Sequence, residues 1–172
     1  YLNWICETGE KLKGEQQFAA VAEFHAESAN ILSAWDRGIT RKDYTEMGRV
    51  IPMFILFHEM HGAKQEGLRA AENLVTALDQ ANCPPDMYAL RALSLAARRH
   101  FGLGHREQDL QENDRIESIR LSRLLPDGYE KAYTLLLNGF GPTAPTSYSI
   151  AMQLCQESRA IFERIGDPWG EI

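Results

Sequence analysis

The chain has 172 residues, enough for one domain that buries about 70% of its unfolded surface. Its 44% hydrophobic and 24% charged content is that of a globular protein, and no apolar run reaches the roughly 18 to 20 residues of a membrane span. A net charge of −6, spread evenly, speaks against a nucleic-acid-binding face, and three scattered cysteines without a CxxC pair speak against a disulfide framework or a zinc site.

The chain opens YLNWICETGE, with neither an initiator Met nor the basic start of a signal peptide. The expectation is a cytoplasmic segment cut from something longer. Before Arg41 the pattern predicts two helical segments forming one pair. Tyr44, Met47, Ile51, Phe54, Ile55 and His58 then step by three and four, and Val50, Met53 and Phe57 widen the stripe. A helix apolar on several sides is expected between neighbours, as in a stacked array. Leu68, Ala71, Val75 and Leu78 mark the next helix, and Leu90, Ser94, Ala97 and Phe101 the one after.

Within the helix expected over 105–125, REQDLQENDRIES at 106–118 is rich in acids and predicts an exposed stretch. A helix over 128–140 follows. The last stripe runs Tyr148, Ala151, Cys155, Ser158, Phe162 and Ile165, with Leu154 and Ile161 beside it. Breakers fall between these faces: Gly38, Gly62, Cys83-Pro84-Pro85, Gly102 and Gly104, Pro126-Asp127-Gly128, GPTAPTS at 141–147, and Gly166-Asp167-Pro168. No alternating strand pattern occurs. The fold class is therefore all-α, about eight helices in antiparallel pairs. Phe54, Ile55, Leu74, Leu78, Leu93, Leu136, Leu154, Ile161 and Phe162 form the expected core.

Shifted against itself by about 40 residues, the chain aligns LLPDGYEKAYTLL, from Leu124, with RIGDPWGEI, from Arg164. RRHFGLGH at 98–105 precedes LNGFGPTA at 137–144 by 39 residues, one short of that offset. This reads as one helical-repeat domain over 1–172, with units at about 1–38, 40–82, 86–125 and 128–166, and 167–172 starting the next. CQESRAIFERIGDPWGEI resembles the second helix of a tetratricopeptide-type repeat in large bacterial signal-transduction ATPases, including LuxR-type, MalT-like transcriptional regulators. Glu157, Ser158, Ile161, Phe162, Ile165, Gly166, Asp167, Trp169 and Gly170 carry the match. EFHAESANILSAW, through Glu27, Asn30, Ile31 and Ala34, and HGAKQEGLRAAENLVTAL, through Gly62, Glu66 and Gly67, resemble earlier parts of the same region. The middle stretch 105–125 lacks the small residues of that pattern, and GPTAPTS is longer than its usual turn.

The resemblance implies a tetratricopeptide-like superhelix that senses a protein, peptide or small-molecule effector for catalytic and DNA-binding domains elsewhere, with no cofactor, nucleic acid or membrane bound by this segment. Its groove-facing positions would fall on Arg91, Ser94, Arg98, Phe101, Glu130 and Tyr133, where two arginines and a tyrosine could hold a carboxylate or phosphate. The competing reading pairs those arginines with surface acids. Oligomeric state is left open.

Two further readings stay beside this one: a free-standing adaptor with the same groove, and an all-helical metal-dependent enzyme using His25, His58, Glu59 and His61. HEMH at 58–61 departs from the H-E-x-x-H spacing that puts two imidazoles on one helical face, so the expectation is no metal and no catalysis. No G-x-x-x-x-G-K-[ST] loop is present for ATP. RRH at 98–100 reads as a solvated run at a helix end, and Trp4, Trp35 and Trp169 as packing between helices, with stacking on a ligand as the lesser reading.

Overall fold

The computed structural model describes residues 1–140 and 148–167. Among them, nine α-helices and two short 3₁₀ turns account for all regular structure, with no strand: α1 (Leu2–Gly9), α2 (Gln17–Ala26), α3 (Ser28–Arg41), α4 (Tyr44–His61), α5 (Lys64–Gln80), α6 (Tyr88–Phe101), α7 (Gln108–Ser122), α8 (Tyr129–Gly139) and α9 (Tyr148–Ile165). The all-α expectation holds. GPTAPTS and the Pro168–Ile172 tail with Trp169 lie outside the described residues.

From α4 onward the predicted helices appear near their predicted limits. Gly62 ends α4 at φ +73° and Gly166 ends α9 at φ +69°, the left-handed region that only glycine enters without a Cβ penalty. Lys42 takes that conformation after α3 without being glycine, at φ 59°; its amide donates to the Ile39 carbonyl and that of Asp43 to Gly38.

The N-terminal region corrects the expectation. Three helices precede Tyr44, not two. Gly14, extended, separates the first 3₁₀ turn (Glu10–Lys13) from α2, and Glu27 leaves helical geometry between α2 and α3. These short helices wrap α4, whose residues Val50 to His58 are all buried. α1 approaches most closely at Gly9, where a Cβ would lie 2.4 Å from a Met53 side-chain carbon. Nothing larger than hydrogen fits there.

Beyond α4 the packing is sequential. α6 lies on both α5 and α7, α8 lies on α9, and α4, α6 and α8 touch in a row. Ala92, Ser94, Ala96 and Ala97 keep α6 thin enough for this crowding, and all four are buried. Eight of the nine expected core residues are buried; Leu136 is half-buried at the edge.

Candidate functional site

α6 was expected to line a groove, yet it packs against α4, α5, α7 and α8. Its predicted groove face is interior. Ser94 is fully buried and its hydroxyl donates to the Leu90 carbonyl at 2.6 Å. Phe101 is buried edge-on to His58, and Tyr133 is buried beside Tyr129, with its phenol pKa pushed well above the ordinary value by burial. Glu130 is half-buried on α8.

The two arginines find acids. Arg91 pairs with Asp79 of α5. Arg98 donates through Nε to Asp114 Oδ2 at 2.9 Å and through Nη2 to Oδ1, while Arg106 adds a bond of 2.6 Å to Oδ2. Asp114 is only 4% exposed, an acid that the charge-rich sequence of α7 gave no reason to bury. The six groove positions thus do not share an open surface: three are enclosed and both arginines are occupied.

The RRH run is likewise not a solvated face. Arg99 is buried and donates to the carbonyls of Phe140 at 2.9 Å and Leu137 at 3.4 Å, closing the C-terminal end of α8. Desolvation lowers its pKa. His100 Nε2 lies 2.7 Å from a Glu59 carboxylate oxygen, and that contact holds Glu59 below the usual carboxylate range.

The histidine motif disperses too. His58 Nδ1 sits 2.8 Å from the Phe54 carbonyl, its Nε2 is buried without a partner, and desolvation lowers its pKa. His61 stacks on Phe57 and places Nε2 3.0 Å from Nδ1 of His25 on α2. Glu59 turns to His100 instead. Among the described residues no group of three or more His, Cys, Asp or Glu is placed to hold a metal ion. Cys6, Cys83 and Cys155 are free, and burial raises each thiol pKa.

What the sequence did not single out is a recess of about 430 Å³ where α1 meets the α2–α3 junction, lined by Tyr1, Trp4, Glu23, Ala26 and Glu27. Tyr1 and Trp4 stand 6.4 Å apart with their planes at 62°, and Phe24 supports Trp4 from the core at 5.1 Å. Glu27 Oε2 accepts the Tyr1 hydroxyl at 3.0 Å and the Asn30 amide at 2.7 Å, so the carboxylate is fixed and its pKa lowered. Its signals in the sequence were Trp4, an aromatic that could stack on a ligand, and the i, i+4 spacing of Glu23 and Glu27, which also describes any solvated helix face.

Comparison with protein-family models, with curated proteins and with solved structures finds no match. Geometry and sequence pattern therefore carry the functional reading. Among the described residues no helix is long and apolar enough to cross a membrane.

Proposed function

We propose that this chain is a tetratricopeptide-like interaction and effector-sensing module of a multidomain bacterial transcriptional regulator, and that it performs no catalysis itself. The observation that carries the reading is the row α4, α6, α8, each followed in the chain by α5, α7 and α9. In repeat arrays each helix pair buries its apolar face on its neighbours, which leaves extended surfaces for binding. Gly166, left-handed at the end of α9, fits the turn glycine of the motif whose resemblance points to the regulator family.

With Ser94 and Phe101 buried and Arg91 and Arg98 paired to acids, the reading places effector binding on another surface of the array. A thermal-shift screen of metabolite-sized effectors, run on wild type and on the Arg91→Ala/Arg98→Ala variant, tests the reading. The expected result is a saturable rise in midpoint with one chemical class in both proteins, measured relative to each protein's own baseline. Turnover of ATP or of ester substrates by the purified chain would contradict it.

A further inference from the structure

Few ligand chemistries suit the recess between α1 and the α2–α3 junction. Its walls are two aromatic rings set at 62° and two carboxylates, and none of its lining residues is basic. Two cations reach it from outside: Lys11, whose Nζ lies 3.7 Å from Glu23 Oε2 on a side chain 42% exposed, and Arg37, whose charge acts on the Tyr1 phenol. An anion would meet Glu27, whose carboxylate is in no ion pair among the described residues. A hard metal ion would find oxygens on one side only, since the rings offer none. A neutral apolar ligand would strip water from Glu23 and Glu27 with nothing in return.

An organic ammonium ion meets all four walls at once. Its charge is drawn to the carboxylates and to the negative faces of the rings, and its alkyl groups cover the aromatic surface. Tyr1 adds to this. By donating its hydroxyl to Glu27 it makes its own ring richer in electrons and holds the carboxylate in place. Both bonds to Glu27 fall on Oε2, which leaves Oε1 without a partner among the described residues. The recess, about 430 Å³, lies within the range of small-molecule sites.

We propose that Tyr1, Trp4, Glu23 and Glu27 form a binding site for a small organic cation with an alkylammonium head. The site supplies a ligand class for the effector-sensing reading, yet it rests on the recess geometry and would stand if the chain proved to be a free-standing binding protein.

Choline chloride is the probe, with 3,3-dimethyl-1-butanol as its uncharged isostere and sodium chloride holding ionic strength constant. Tryptophan fluorescence and thermal midpoint are read together. The expected result is a saturable response to choline and none to the isostere. Glu27→Gln should weaken choline binding about tenfold, the loss of one charge-assisted contact of about 1.4 kcal/mol. Glu23→Gln, which touches neither Tyr1 nor Asn30, should weaken it as well and covers the case in which Glu27→Gln disturbs the fold. Equal responses to choline and the isostere, no response to choline, or choline binding unchanged in folded Glu23→Gln would each overturn the proposal. The effector screen can fail for regulator function while choline still binds, so the two failures remain separate.

Discussion

The region before α4 and the region after it share one core but reach it through different patterns of contact. After α4, each helix rests mainly on the next in the chain or the next but one, and the contacts repeat from α5 to α9. Before it, three helices reach α4 and α5 across long stretches of sequence: Cys6 Sγ donates to the Arg49 carbonyl of α4, and Trp35 Nε1 to the Ala70 carbonyl of α5 at 3.3 Å. Trp35 also stacks on Phe54 with ring centres 4.0 Å apart. The sequential region also turns back on the other: Lys13, in the first 3₁₀ turn, sits 4.1 Å over the Tyr129 ring of α8 and 3.7 Å from Asp167 beyond α9. Long-range packing makes the earlier region a closed aromatic cluster, running from Trp4 through Phe24 and Phe57 to His61 and His25.

Truncation separates the two most forcefully. Phe54→Ala should cost about 3 to 5 kcal/mol, because it opens the centre of the long-range cluster and removes the Trp35 stack. Phe162→Ala should cost a similar amount, but from α8 and α9 first. Urea denaturation followed both by tryptophan fluorescence and by helical circular dichroism distinguishes them. In Phe54→Ala the two signals should move together; in Phe162→Ala helix should be lost before the Trp35 environment changes. Coincident transitions in Phe162→Ala would mean that the two regions share one cooperative core.

Asp114→Ala comes next. It strands Arg98, whose side chain is 18% exposed, and leaves Arg106, 14% exposed, with only Glu72 at 3.7 Å; it should cost about 2 to 3 kcal/mol, below the fully buried case because both arginines keep some water. Arg91, whose partner Asp79 is 54% exposed, gives the contrast. Asp79→Ala should cost about 0 to 1 kcal/mol. Chemical denaturation measures both, and equal effects would remove the distinction drawn between these two pairs.

His58 sets a pH dependence for the closed cluster. Burial depresses its folded pKa below the ordinary 6.5, so the unfolded chain takes up the proton first as pH falls. Its stabilising contribution is present above that value and declines below it, by at most about 1.4 kcal/mol per pH unit. His58→Leu should flatten the fall in thermal midpoint between pH 6.5 and 5. An unchanged slope would assign the dependence to another group.

These differences track what the sequence could reveal. Helical stripes with a glycine at the end of each, as in α4 with Gly62 and α9 with Gly166, depend on local chemistry and were legible. The three-helix start was not. Gly14 and Glu27 break helices only because the short pieces gain more from α4 than from continuing, which is a long-range effect. The groove assignment failed for a related reason. Leu90, Ser94, Ala97 and Phe101 mark one apolar face of α6, but small residues elsewhere on that helix let four neighbours close over it. Arg99 and Asp114 were unreadable because burial of a charge depends on partners far along the chain. The aromatic recess likewise needed α1 beside α2.

Another small expected effect concerns the join between the regions. Lys42 pays for left-handed geometry at the end of α3, and Lys42→Gly should raise stability by roughly 1 kcal/mol. A fall in thermal midpoint would show that the lysine side chain contributes more than its backbone costs.

Hydrogen exchange by mass spectrometry on the intact chain tests most directly whether a sequential array leads away from a closed cluster. Graded stability is expected: amides of α8 and α9 should open at lower free energy than those of α4, with α6 between them. Exchange of α4, α6, α8 and α9 through one opening of equal free energy would contradict the array.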